Sequence, residues 1–361
     1  MGAGDLKIHP MLDVSAWQEV SQDESLIIAD GKSVTVQVHG GMLVINDGPM
    51  GAARKRTWAR VPRVVKHLAI MTNHGYVSLD AMAWLADCDI TWAVIDRSGR
   101  LPRTLANSGR YVNPLYVRRQ SMCAPGMPAA FTGVKIMRGL ITAKLSGQAH
   151  NAEYGLKDTQ AATFIRAQIP RVETARSIER IMGFEGTGAD AYWDAWRGMT
   201  VDYLRPGPRQ PHWVVFPSRR TLRRSWESNR GATDPVNAML NFGYKIAETE
   251  CTLACYAHAL SPSIGIGHVD RAGRDSFALD LIEVMRPVVD RVIIDILAEP
   301  LNKKWFREDK EGMVQCSAPL THKIYTEVHA RSYHVTRALF GVCELLDTAK
   351  RISSRIAAMT E

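Results

Sequence analysis

Between Ser25 and Asp47 the chain reads SLIIADGKSVTVQVHGGMLVIND, where apolar and polar residues alternate and DG and GG pairs break the run. Alternation with a period of two marks half-buried strands, and glycine pairs mark tight turns, so the stretch predicts several short antiparallel strands. VVKHLAIMT and DITWAVIDRSG extend the strand pattern, while SLDAMAWLAD between them has helical spacing, with Ser78 as N-cap. Beyond Leu101 long helical patterns take over and run to the C-terminus, broken mainly around 205–230. The expected fold class is α+β: an extension over 1–22, a β-rich N-terminal domain over 23–106, and a larger all-α domain over 107–361.

Two of the helical segments carry polar residues in unusual places. DPVNAMLNFGYKIAETE opens with Asp234 and Pro235 in the N-cap and first-turn positions and spaces Asn237, Asn241, Tyr244 and Glu248 along one face. Such a stripe lines a polar cleft or faces solvent. FALDLIEVM has the content of a buried helix, yet it contains Asp280 and Glu283, three apart and hence on one face. Like charges set side by side in a core need compensation. Either a divalent cation supplies it, or Arg286 or Arg291 does. Pro287 removes a backbone donor four residues after Glu283 and predicts a bend beside the acids. In VETARSIERIMGFEGTGADAYWDAWRGM, Glu185 is flanked by Gly183, Gly186 and Gly188. Each glycine costs a helix up to ~1 kcal/mol relative to alanine. Close helix packing accounts for that cost, as does the approach of another chain or a ligand.

Composition changes the picture in three respects. At 361 residues, 46% hydrophobic and 23% charged, the chain is long enough for two globular domains with their own cores. No apolar run reaches transmembrane length, and MGAGDLKIHPMLD lacks the basic-then-apolar pattern of a signal peptide, which predicts a cytoplasmic protein without a membrane partner. The six cysteines form no CxxC pair, which argues against a zinc ribbon or a disulfide framework; Cys251 and Cys255, one turn apart, fit buried helix positions better than a shared metal.

The net charge of +8 is concentrated. Between Arg205 and Arg230 there are seven arginines, among them Arg219, Arg220, Arg223, Arg224 and Arg230, against one acid, Glu227. Trp213, Phe216 and Trp226 are interleaved with them, which suits a surface that neutralises phosphates and stacks on bases. An anionic polymer is the expected partner. Arg54, Lys55, Arg56, Arg60, Arg63 and Lys66 form a second basic cluster, either part of the same field or a hairpin tip.

Four stretches taken in order, GFEGTGADAY, DPVNAMLNFGY, IGIGHVDRAGRDSFALD and LIEVMRPVVD, resemble the CRISPR-associated spacer integrases, the "Cas one" proteins. The likeness runs over roughly residues 24–345 and includes RRQ and a later AKL helix (Arg118, Arg119, Gln120, Lys144). The resemblance implies an N-terminal β domain engaged in dimerisation and partner contacts, and a helical catalytic domain. It also implies a homodimer acting with a small "Cas two" partner on double-stranded DNA, to insert captured fragments into a CRISPR array. Its metal ligands fall on Glu185, His268 and Glu283, with Asp280 as a further acid beside the metal. One imidazole and two carboxylates suit Mg2+ or Mn2+. An imidazole ligand has to be neutral, so activity is expected to fall as pH drops. Two features depart from the family: the first 22 or so residues lie outside the pattern, and Glu283 stands where some relatives have aspartate. A mobile-element transposase using the same four residues and a catalytically idle DNA-binding scaffold are the alternatives.

Overall fold

The computed structural model of the chain describes residues 26–48, 53–59, 67–72, 74–95, 102–105, 113–205, 210–219 and 231–359. Its N-terminal third is two four-stranded sheets. The strands are β1 (Leu26–Asp30), β2 (Val34–His39), β3 (Met42–Asp47), β4 (Arg54–Trp58), β5 (His67–Met71), β6 (Gly75–Val77), β7 (Thr91–Ile95) and β8 (Pro102–Leu105), and one helix, α1 (Leu79–Asp87), lies between β6 and β7. The first sheet runs β4-β3-β2-β6 and the second β1-β5-β7-β8.

Gly40 and Gly41, at φ of +58° and +76°, turn β2 back onto β3, since both positions need the left-handed conformation that glycine adopts without strain. The Ser78 hydroxyl caps α1 by accepting from the Ala81 amide at 3.1 Å, as its position in the sequence predicts. One expectation is corrected. Within 25–47, β2 and β3 pair antiparallel as the alternating pattern predicts, but β1 pairs with β5 and β2 with β6 in parallel, as does β5 with β7. Alternation reports which face of a strand is buried; the direction of pairing depends on the crossover, and here β2 to β4 and then α1 serve as crossovers.

Arg54 and Arg56 of the second basic cluster serve the sheet. Arg54 donates to Asp30 at 2.7 Å and to Asp47 at 2.9 Å, and Arg56 to Asp47 at 2.7 Å. Arg60, Arg63 and Lys66 lie outside the described residues, as does the division expected near residue 106.

The rest is helical, which makes the chain α+β as expected: α2 (Pro114–Ser121), α3 (Ala130–His150), α4 (Thr159–Arg166), α5 (Ile169–Thr174), α6 (Ile178–Trp196), α7 (Pro235–Ala257), α8 (Ser276–Leu297), the short hairpin β9 (Phe306–Glu308) and β10 (Val314–Cys316), then α9 (Leu320–His329) and α10 (Tyr333–Met359). The central helices α3, α7 and α8 are apolar over most of their circumference and bury it against one another. Helix α8 continues through Pro287. The carbonyl of Pro287 accepts from the Asn151 side chain at 2.8 Å, at the wide turn Asn151–Gly155 that ends α3.

Ala69, Met71 and Ile95 of the second sheet join the helical core, so the sheet rests on the helices. Leu26 and Ile28 of β1 pack against the same core, and polar contacts complete the seam. Asp30 stands 2.8 Å from His322 Nε2, and the rings of His67 and His329 meet edge to face with centres 4.8 Å apart.

Candidate active site

The two acids of α8 share a face but not a partner. Asp280 is 0% exposed and is saturated. Its Oδ2 accepts from the amides of Ile266 (2.6 Å) and Gly267 (3.0 Å), and its Oδ1 from the His268 amide (2.9 Å) and ring Nδ1 (2.7 Å). The carboxylate thereby folds the turn before the helix around itself. Two glycines permit this: a Cβ on Gly265 would stand 2.1 Å from the His268 carbonyl, and one on Gly267 2.5 Å from Met137 Cε. With Nδ1 on Asp280, the imidazole has Nε2 left for a ligand, the arrangement by which a carboxylate fixes the tautomer of a metal-binding histidine.

Glu283, 4% exposed, has a different role. Its Oε1 accepts from Arg286 Nε at 2.8 Å and its Oε2 from Lys144 Nζ. The same Nζ donates to Oε1 of Glu185, on α6. Three helices, α3, α6 and α8, therefore bring two carboxylates and one ammonium to a point. Burial alone would push the Glu283 carboxyl up, but Arg286 and Lys144 prevail and hold it down at about 2. The alternative of an ion pair with Arg286 is thus realised at Glu283, while Arg291 turns to Asp295 at 2.8 Å.

The four residues expected to carry the chemistry fall into two pairs, Glu185 with Glu283 over Lys144, and His268 with Asp280 one helical turn away. Among the described residues no three His, Cys, Asp or Glu side chains stand close enough to hold an ion together. The residues nevertheless fit a divalent cation. Two carboxylates, Glu283 buried and Glu185 partly buried, already share one cationic centre, and a tautomer-fixed imidazole lies on the adjacent turn; this donor set contains only nitrogen and oxygen, as Mg2+ and Mn2+ prefer. Cys251 and Cys255 do not compete: both are buried in α7, and burial pushes their thiols up, away from the thiolate a metal needs.

The glycines around Glu185 divide in two. Gly188 is a packing glycine, since a Cβ there would stand 2.7 Å from Leu145 Cδ2. Among the described residues nothing beyond their own stretch of helix comes within 4 Å of the same position at Gly183 and Gly186, so close packing against the described residues explains only the third.

The polar stripe of α7 is half buried: Asn237 and Tyr244 are covered, whereas Asn241 is partly exposed and Glu248, also partly exposed, pairs with Lys245 at 2.8 Å. Asn237 (4% exposed) and Tyr244 (7% exposed) lie beneath Arg219, which donates to Oδ1 of Asn237 and of Asn241 at 2.7 Å each. Its guanidinium carbon is 5.9 Å from the centre of Trp193 and 5.3 Å from that of Tyr244. Arg286 covers the same Tyr244 ring at 5.0 Å, and the Tyr244 hydroxyl donates to Asp290. Burial pushes the Asp290 carboxyl up to about 6, against the pull of the Tyr244 and Tyr192 hydroxyls and of Arg286 and Arg219. Asn237, Asn241 and Tyr244, expected to meet DNA, here seat Arg219. Arg220, Arg223, Arg224 and Arg230 lie outside the described residues. The residues that sequence reasoning passed over are Asp290 and the bridging role of Lys144. Lys144 sits in LITAKL, a lone charge in an apolar run, which is the very signal that singled out Asp280 and Glu283.

Comparison with known proteins decides the family. The family described as "CRISPR associated protein Cas1" matches residues 27–329. The chain belongs to the Cas1 family. It is 28% identical over 295 residues to "CRISPR-associated endonuclease Cas1 1" of Archaeoglobus fulgidus, covering 75% of this chain and 78% of that one. It is 31% identical over 248 residues to "CRISPR-associated endonuclease Cas1 2" of Rhodospirillum rubrum, covering 66% and 67%. Among solved structures, a casposase bound to integration product has the same fold at a TM-score of 0.67, with 21% identity over 84% of this chain and 82% of the other. A Cas1 protein from Thermotoga maritima also reaches 0.67, with 15% identity over 89% and 97%. Among the described residues no helix is long and apolar enough to cross a membrane.

Proposed function

We propose that this Cas1-family chain is a metal-dependent DNA integrase and endonuclease that inserts captured DNA fragments as new spacers into a CRISPR array. The observation that carries the reading is the meeting of Glu185 and Glu283 on one cationic centre, beside a histidine whose free nitrogen is fixed by Asp280. Glu185, His268 and Glu283 would hold Mg2+ or Mn2+. When bound, such a cation polarises the attacking hydroxyl and neutralises charge on the phosphoryl group in flight.

The chain's own residues do the rest by placement. Asp280 holds the His268 ring and the 266–268 amides in one arrangement. Arg286 keeps one oxygen of Glu283 occupied, so only Oε2 turns toward the site. Arg219, seated on Tyr244 and Trp193, places a guanidinium at the surface next to the arginine-rich segment, where it can meet a phosphate. In the proposed reaction the 3′-hydroxyl of a captured fragment attacks the leader–repeat phosphodiester, the new ester forms as the old P–O bond breaks, and the leaving oxygen takes up a proton. Water in place of the hydroxyl gives cleavage.

Two ends must be joined, which favours a homodimer on double-stranded DNA; a small Cas2 partner is supported by the likeness to a Cas6-RT-Cas1–Cas2 complex, at a TM-score of 0.67 and 16% identity over 92% of this chain. The casposase likeness favours a second reading, integration of a mobile element's own ends. The test is strand transfer by the purified protein, with and without Cas2, of a short duplex into supercoiled plasmids with and without the leader–repeat. Insertion at the leader–repeat junction dependent on Mg2+ or Mn2+ is expected; insertion without preference for the array supports the second reading, and no joining under any condition overturns both.

A further inference from the structure

The ammonium of Lys144 occupies the place where the two carboxylates converge. Lys144 is 6% exposed, and its Nζ donates to one oxygen of Glu185 and one of Glu283. Both oxygens are thereby within one hydrogen bond of a single point. A divalent ion makes the same demand of them at a shorter radius, roughly 2.0–2.1 Å for Mg2+. An ammonium and a divalent cation cannot both satisfy it, because they claim the same oxygens and repel each other.

Two further observations identify which cation gives way. Glu283 divides its oxygens, Oε1 to Arg286 and Oε2 to Lys144, and Arg286 is also seated over the Tyr244 ring at 5.0 Å. The arginine can stay when Oε2 changes partner. Lys144 has its two hydrogen bonds on the very oxygens that a metal takes, and it ends a flexible four-carbon stem that can swing a compact charge away.

We infer that Lys144 is a built-in counter-cation: it holds Glu185 and Glu283 together while the site is without metal, and metal binding displaces it. The inference rests on the reading that Glu185 and Glu283 hold the metal. It assigns Lys144 a role in metal loading, setting affinity by competition and keeping two like charges, one buried and one partly buried, from driving α6 and α8 apart in the metal-free protein. The freed ammonium then carries a positive charge at the rim of a site whose substrate is a polyanion.

The test uses the full chain at pH 7.5 and reads binding, not turnover. Mn2+ affinity of wild type, Lys144→Met and Glu283→Gln is measured by calorimetry, and thermal unfolding is followed with and without Mn2+. Lys144→Met should melt lower than wild type without metal, recover when Mn2+ is added, and bind Mn2+ roughly tenfold or more tightly, since two charge-assisted bonds no longer have to be broken. Equal or weaker Mn2+ binding by Lys144→Met, with Glu283→Gln still abolishing it, overturns the displacement while leaving the metal site in place. No Mn2+ binding by wild type overturns the metal site and the inference together. Should Lys144→Met fail to fold, wild type alone decides: the Lys144 ammonium resonance, assigned by its disappearance in Lys144→Arg, should move to the exposed-lysine position as Mg2+ saturates the protein. A resonance unmoved at saturation sinks the inference.

Discussion

Asp280 and His268 make the sharpest test at the scale of single residues. His268→Ala, Glu185→Ala and Glu283→Ala are each expected to abolish metal-dependent cleavage and strand transfer, because a three-ligand set loses its grip when one donor goes. Duplex binding, measured by gel shift, should survive, since the basic surface is supplied by other residues. Asp280→Asn should leave partial activity, because an amide oxygen still accepts from the 266–268 amides while the charge that orients the imidazole is gone; full loss would make Asp280 a ligand. Gly183→Ala and Gly186→Ala separate fold from function. Among the described residues neither position has a neighbour within 4 Å beyond its own stretch of helix, so each should raise unfolding stability by up to ~1 kcal/mol while lowering strand transfer, if a DNA strand passes along this edge of α6. Unchanged activity in the stabilised variants would leave the two glycines without a functional reason. The sequence made these residues visible through their misfit with their surroundings: an acid in an apolar run, glycines inside a helix. What Asp280 does there was not visible, because its four donors come from a turn 12 to 14 residues away.

At the scale of elements, α7 and α8 are tied by the contact of Tyr244 with Asp290 and of Arg286 with both Tyr244 and Glu283. The Asp290 carboxyl, raised by burial to about 6, sets the sign of a pH effect. Its contribution to stability is fully present below the unfolded value of 3.8 and is lost as pH rises through about 6, where a buried carboxylate has to ionise. Asp290→Asn should therefore melt progressively higher relative to wild type as pH rises from 4 to 7, by on the order of 3 kcal/mol at most. A difference independent of pH would show that Asp290 does not titrate in this range. Removing the hydroxyl with Tyr244→Phe should lower strand transfer by loosening Arg219 and Arg286 and should leave the secondary structure intact by circular dichroism. Elements themselves were readable from local chemistry: the alternating strands, the Ser78 cap of α1, and Asp234 and Pro235 opening α7. Pairing direction and the sidedness of the α7 stripe were not readable. Both depend on distant partners, the crossovers between strands and an arginine 18 residues before Asn237.

The whole molecule carries +8 and should bind duplex DNA in a salt-dependent way. Replacing Arg219, Arg220, Arg223 and Arg224 with alanine should lower the slope of log affinity against log salt by about 0.9 for each phosphate that is no longer neutralised, and should do so equally on unrelated DNA sequences. A slope that does not change would remove this segment from the interface. The α+β division was legible because strand periods are concentrated in the N-terminal third and helix periods beyond it, whereas the seam between them, where Asp30 meets His322 and His67 meets His329, joins residues too far apart for periodicity to connect.

The spacing of the central ion-pair cluster has a further consequence, for the time of synthesis. Glu185 follows Lys144 by 41 residues, but Glu283 follows it by 139. At roughly 5–20 residues per second, a ribosome completes Glu185 several seconds before Glu283. Throughout that interval the emerging chain lacks the second acid of the cluster, and until residue 268 is made it lacks the histidine turn as well. On the proposed site, a chain truncated before α8 lacks Asp280 and Glu283 and should neither cleave nor join DNA, whatever else of it folds.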